Sequence, residues 1–175
     1  MPQLIMRWTN DGRPAPELHI PESCAIVTLP MLGDGVNKWL DIVQYGLSKG
    51  VQDQVYFDSH LTDWPHFESD KCFILLENGQ QAATLTVVCN HDSREGYIHM
   101  VACKEAFRGK GYGTLMNVVA LRVLKKEQMQ TAYLTTDDWR LPAIRSYLRA
   151  GFQPDLSTED FRQRWDAIMD TLNAK

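Results

Sequence analysis

Apolar residues recur along this chain with two different periods, and each change of period marks an element. Short β-rich runs at residues 4–8 and 24–29 are separated by Pro14, Pro16 and Pro21, which predicts two strands joined by an irregular loop. Between residues 35 and 47, Val36, Trp39, Leu40, Val43 and Leu47 repeat at intervals of three and four. That spacing is one stripe of an amphipathic helix, ending near Gly46 and Gly50. Residues 51–70 keep no clear period and predict a short helix and loop. The runs 71–77 and 81–89 flank Asn78-Gly79, a strong hairpin signal because both turn residues accept positive φ.

The second half alternates more regularly. A strand over 97–103 leads into a glycine cluster and then a helix over 113–128, apolar on more than half its circumference, as expected of a helix covered by sheet. Residues 131–136 predict another strand. A helix through Tyr147 follows, with Asp138 as its N-cap, Pro142 in its first turn and Gly151 at its stop. A short strand is expected at 152–156. Phe161, Trp165, Ile168 and Leu172 predict a last amphipathic helix over 158–172. Hairpins first, then strand, helix, strand, helix, gives a mixed sheet covered by helices, an α/β fold of the α+β type.

Composition narrows the class. The chain has 175 residues with 44% hydrophobic and 23% charged, the profile of one soluble globular domain over residues 1–175. No apolar run approaches a membrane span, and the first residues lack the apolar core of a secretory signal. The expectation is a cytoplasmic protein, monomer or homodimer, with no membrane partner. Cys24, Cys72, Cys89 and Cys103 form no CxxC pair, consistent with reduced thiols and no zinc. His60 and His66 lie among acids, but their spacing fits no common metal site, so no metal is expected. A net charge of -4 argues against a nucleic-acid partner, whose phosphates require a basic face.

The densest chemistry is Arg108-Gly109-Lys110-Gly111-Tyr112-Gly113, between a strand and a helix. Such a turn presents backbone N–H groups at a helix N-terminus, where the macrodipole favours an anion. Glycines let that backbone approach a phosphate, or simply let the chain turn. The pattern is neither Walker A nor GxGxxG.

Here the sequence resembles the GNAT superfamily of N-acetyltransferases, whose signature is Arg or Gln, two residues, Gly, one residue, then Gly or Ala. Arg108, Gly111 and Gly113 match it, and the block over 143–152 is similar to the family's alanine, tyrosine and terminal Gly-Phe. The resemblance covers residues 71–156. It implies a mixed, mostly antiparallel central sheet of about six or seven strands, two of which splay at a bulge to admit acetyl-CoA. It further implies acetyl transfer directly to a primary amine of a small molecule or peptide. A non-catalytic CoA-binding sensor or subunit with this fold is the alternative.

Carried over by position, the backbone of Val101, Ala102 and Cys103 would flank the pantetheine arm, with the Val101 amide polarising the thioester carbonyl. Gly109, Lys110, Gly111, Tyr112 and Gly113 would hold the pyrophosphate, aided by the Thr114 hydroxyl. Tyr147 stands at the family's tyrosine position, as proton donor to the departing thiolate or as a packing aromatic. His99 is a candidate base, since an amine of pKa about 10.4 is neutral in only about one molecule in 2,500 at pH 7. A satisfied sheet histidine is the other reading. Tyr97, His99 and Val101 alternate along one strand and would share a face before any bulge. Cys103 lacks an adjacent base and is not expected to be a nucleophile.

The match has departures. Glu105 replaces a frequent proline, and Arg140 an asparagine associated with the pantetheine arm. Asp137 and Asp138 either bind an acceptor amine or cap the helix. Residues 103–126 carry six basic residues and one acid, suiting an anionic cosubstrate, whereas residues 51–70 carry five acids and no Lys or Arg. The resemblance implies that this segment, with Asp58, Asp63 and Trp64, lies near the acceptor end of the cleft, where it would draw a cationic amine or would be a solvated loop.

Overall fold

The computed structural model describes residues 1–48 and 52–174, so Gly50 and Val51 lie outside the described residues. The strands are β1 (Leu4–Thr9), β2 (Cys24–Thr28), β3 (Cys72–Glu77), β4 (Gln80–Asn90), β5 (Glu95–Cys103), β6 (Thr131–Thr136) and β7 (Gln153–Pro154). The helices are α1 (Gly35–Gly46), α2 (Gln54–Phe57), α3 (Tyr112–Lys126), α4 (Leu141–Arg149) and α5 (Glu159–Asn173). A π-helical turn over Asp58–Thr62 continues α2.

The seven strands form an open sheet in the order β2-β3-β4-β5-β6-β1-β7. Each neighbouring pair runs antiparallel except β5 and β6, which are parallel. As the Asn-Gly pattern requires, Asn78 and Gly79 both have positive φ, at 50° and 80°, in the β3–β4 turn. The N-terminal strand β1 lies between β6 and β7.

Each face of the sheet buries its own cluster. Leu85, Val87, Ile98, Met116, Ala120, Leu124 and Trp165 belong to one, beneath α3 and α5. Trp39, Ile42, Val43, Phe57, Leu61, Met100 and Ala102 form the other, beneath α1 and α2. Two glycines allow the close packing: a Cβ on Gly96 would lie 2.2 Å from a Leu124 methyl, and one on Gly46 2.9 Å from the Cys103 carbonyl oxygen. Lys104 and Gln81 both donate to Asp41, each at 2.6 Å, fastening α1 to the central strands.

One cap differs from expectation. Helix α4 starts after Arg140, which makes no side-chain cap bond, while Asp138 pairs with Arg164 of α5 at 2.5 Å. A guanidinium offering two bonds outcompetes a single backbone N–H for the carboxylate. Thr158 caps α5 by accepting from Phe161 N.

Candidate active site

The site begins as a defect in β5. Thr84 stands opposite Ala102 and Thr86 opposite His99, so Met100 and Val101 together face Leu85. This is a β-bulge, and Met100 adopts a φ of +50° there. On the other side, parallel pairing with β6 ends at Ile98 and Leu134. The two strands therefore part where the extra residue is inserted.

The bulge also reverses the facing of the strand. Tyr97 and His99 lie on the α2 side, with His99 against His60 and Trp64. Met100 and Ala102 pack into the α1–α2 cluster, whereas Val101 and Cys103 pack towards the opposite one. The strict alternation that would put Val101 beside Tyr97 and His99 is thus broken by the inserted residue.

Past the bulge lies a groove of about 900 Å³. Its wall contains Val101, Ala102 and Cys103 from β5, Arg108, Gly109 and Gly111 from the turn, Tyr112, Gly113 and Thr114 from α3, and Tyr147 from α4. The turn has the expected conformation: Gly109 and Gly111 sit at φ +80° and +82°, and a Cβ on either would meet nothing within 4 Å. Bare backbone thus opens towards the first N–H groups of α3, which an α-helix leaves without internal partners. Free N–H groups and bare backbone of this kind suit an anion such as a pyrophosphate. Arg108 braces it by donating to the carbonyls of Cys103 and Gly46. Lys110 instead turns to Glu77, at 2.7 Å.

Tyr147 is buried, and that burial pushes its phenol up to about 12, so it stays protonated at neutral pH. The Cys103 thiol is likewise pushed up by burial, which disfavours a thiolate nucleophile. All four cysteines are free thiols. The sequence did not single out Trp139, Arg145, Ser146 or Arg149, nor Thr171 and Leu172 of α5, which also line the groove. Leu172 carried only a packing signal, on the apolar stripe of the last helix, and the others carried none that pointed to the groove. Arg140, at the asparagine position, lines the groove as well, with its guanidinium over the Trp139 ring and 3.2 Å from Asp137.

On the other face, rings accumulate. His99 stacks on Trp64 at 4.5 Å, Tyr97 lies 4.9 Å from His99, and Tyr133 of β6 stacks on Tyr97 at 4.6 Å. His99 Nε2 donates to the His60 carbonyl at 2.7 Å, leaving Nδ1 as the acceptor nitrogen. Burial lowers the His99 pKa to about 4, so the ring is neutral at physiological pH.

The acids of the nearby segment are partly committed elsewhere. Asp53 caps α2, Glu68 pairs with Lys71, and Asp58 accepts from Gln54 and Thr62. Asp63 is exposed.

Comparison with known proteins agrees with this geometry. Residues 38–152 match the model of the acetyltransferase (GNAT) family. N-alpha-acetyltransferase 30 of Schizosaccharomyces pombe is 29% identical over 116 residues, covering 63% of this chain and 73% of that protein. The fold is similar to the crystal structure of a GCN5-related N-acetyltransferase from Sphaerobacter thermophilus, with a TM-score of 0.72 and 20% identity. That match covers 89% of this chain but 50% of the Sphaerobacter chain, so this chain spans half its length. Ard1 of Thermoplasma volcanium is similar at a TM-score of 0.58 and 20% identity, over 79% of this chain and 91% of that one. A splayed strand, a glycine turn opening a helix and a family model spanning most of the chain lead to one assignment: the chain belongs to the GNAT family of acetyltransferases.

Proposed function

We propose that this chain moves an acetyl group from acetyl-CoA directly to a primary amine of a small molecule or peptide. The observation that carries the reading is the junction of three features in one groove: the splayed β5 backbone, the open glycine turn and the buried Tyr147. Acetyl-CoA supplies the activated acyl group as a thioester. The first N–H groups of α3 and the bare backbone of Gly109 and Gly111 hold its pyrophosphate, with the Thr114 hydroxyl beside them. Val101 and its neighbours present backbone to the pantetheine arm, the Val101 N–H polarising the carbonyl. One such donor typically contributes about 2.7–4 kcal/mol to the transition state.

Proton transfers fall to side chains on both faces of the splay. The neutral phenol of Tyr147 stands as hydrogen-bond and proton donor to the departing thiolate. Because burial pushes it up to about 12, full transfer to a thiolate whose thiol has pKa about 8.5 is uphill, and its main effect is to hydrogen-bond the charge as it develops. His99, neutral and held through Nε2, offers Nδ1 to the incoming ammonium directly or through water. Its depressed pKa makes it a weak base, so its larger contribution is to hold Trp64 and Tyr97 as a wall that desolvates the amine. Desolvation favours the uncharged, nucleophilic form. No acyl-enzyme is required. The relationship to a protein named as an N-alpha-acetyltransferase supports a peptide N-terminus among the acceptors.

The test is acetyl-CoA turnover over an amine panel, read as free thiol. Amine-dependent thiol release is expected, with cationic and peptide N-terminal amines ahead of acidic amino acids. Tight CoA binding without amine-dependent release would instead make the chain a CoA-binding sensor or subunit.

A further inference from the structure

We propose that Glu77 is a positioning residue that clamps the glycine turn from outside the groove, and that Lys110 serves this clamp rather than a phosphate. The inference rests on the acetyl-CoA reading of the groove. Lys110 is the one side chain between the two left-handed glycines, and its ammonium lies 3.0 and 2.7 Å from the two oxygens of Glu77. Tyr112, the first residue of α3, donates its hydroxyl to the same carboxylate at 2.6 Å. Two residues of the turn, 110 and 112, thus converge on one acceptor. Cys24 Sγ adds a donor to the Tyr112 oxygen at 3.4 Å.

Glu77 is well placed to fix something else because it is itself fixed. It pairs with Cys24 on one side and Gln80 on the other. The next residue, Asn78, donates its N–H to the Ser23 carbonyl at 2.7 Å. The Glu77 side chain is only 14% exposed, against 46% for Lys110. The rigid member of the pair is therefore the carboxylate, and the turn is the member being held. Lys110 also neutralises a carboxylate that would otherwise repel an anion bound across the turn, where like charges at short range are costly. With both glycines free of Cβ atoms, the turn has little stiffness of its own. The Glu77 contacts supply it, preorganising the N–H groups before the anion arrives.

Titration calorimetry with free CoA on the intact chain separates the possibilities. Glu77→Gln and Lys110→Met are each expected to raise the dissociation constant about five- to tenfold, as loss of a charge-assisted contact would. The exchanged pair Glu77→Lys with Lys110→Glu should recover most of that loss. Tyr112→Phe should weaken binding less, since the Lys110 pair remains. With acetyl-CoA, KM should rise for the donor while kcat at saturation stays near wild type, and the melting temperature without ligand should barely move. If Glu77→Gln bound CoA as tightly as wild type or more tightly while Lys110→Met bound weakly, Lys110 would be a direct phosphate contact and the clamp would be refuted. Failure of the exchanged pair to bind better than Lys110→Glu alone would also overturn it. Absence of CoA binding by the wild-type chain would remove the cofactor reading itself, and this inference with it.

Discussion

The two sides of the splayed strand β5 are made of different material. The groove side carries the β5 backbone from Val101 to Cys103 and the glycine turn, with Trp139, Arg140 and Ser146 beside them. The α2 side carries rings, with Trp64, His99, Tyr97 and Tyr133 packed in a row and Asp63 exposed nearby. Backbone recognition suits a ligand that never changes, because N–H groups and left-handed glycines are fixed by the fold. Side-chain recognition suits the partner that differs from one acetyltransferase to another, since rings and carboxylates can be exchanged without altering the sheet. The bulge at Met100 divides the two, giving one strand two unrelated surfaces.

The largest effect expected from breaking this contrast is in the aromatic wall. The His99 pKa falls from 6.5 in the unfolded chain to about 4 in the fold, so between these values the unfolded state binds more protons. Stability should therefore fall as pH is lowered from 6.5 to 4 and level off below, a loss of about 3 kcal/mol from this one group. His99→Gln should remove that part of the acid limb in denaturant titrations. A variant declining as steeply as wild type over the same window would show that the wall does not exclude charge.

Next comes the backbone side. Acetyl-CoA at about 100 times its dissociation constant should stabilise the wild-type chain by about 2.7 kcal/mol. Gly111 sits at φ +82°, where a β-branched residue is strained. Gly111→Val should abolish the ligand-induced rise in melting temperature while the unliganded protein remains folded. An undiminished rise would place the anion elsewhere.

Tyr147→Phe tests the chemistry between the two sides. Its kcat is expected to fall about 30-fold, roughly 2 kcal/mol, with the dissociation constant for CoA little changed. An unchanged kcat under rate-limiting chemistry would leave Tyr147 a packing residue beside Phe152, whose ring centroid is 6.3 Å away. Smallest is the electrostatic effect on the acceptor. Asp58→Asn with Asp63→Asn should raise KM for a cationic amine about two- to threefold, because exposed charges are screened. The shift should shrink in salt. Equal KM values for wild type and double variant at low ionic strength would show that these acids do not steer the acceptor.

The same contrast explains what the sequence made legible. A glycine turn needs particular residues at particular spacing, so Arg108 to Gly113 announced the cradle, and the Asn78-Gly79 hairpin announced itself through required φ values. The strands and helices followed from periodicity. Four things did not. The facing of Val101 depended on an inserted residue, Met100, whose apolar side chain looks the same in or out of a bulge. Asp138 had the composition of a cap, and only the approach of Arg164 from 26 residues away redirected it. The ring row required a loop residue, Trp64, to meet β5, and β5 to meet Tyr133 of β6, contacts that no local pattern encodes. The share of the five acids given to caps and pairs was equally invisible, because net charge does not record partners.

Direct transfer requires that the groove hold acetyl-CoA while the acceptor approaches from the ring-lined side. A single-turnover experiment tests this most simply: enzyme in excess is mixed with acetyl-CoA, a peptide or cationic amine is added, and the masses of protein and amine are followed together with free thiol. With direct transfer the protein mass never changes, thiol appears only after the amine is added, and acetylated amine accumulates in equal amount. Acetylated protein before amine addition, cleared when the amine arrives, would contradict direct transfer. Thiol release independent of the amine would contradict the acceptor side.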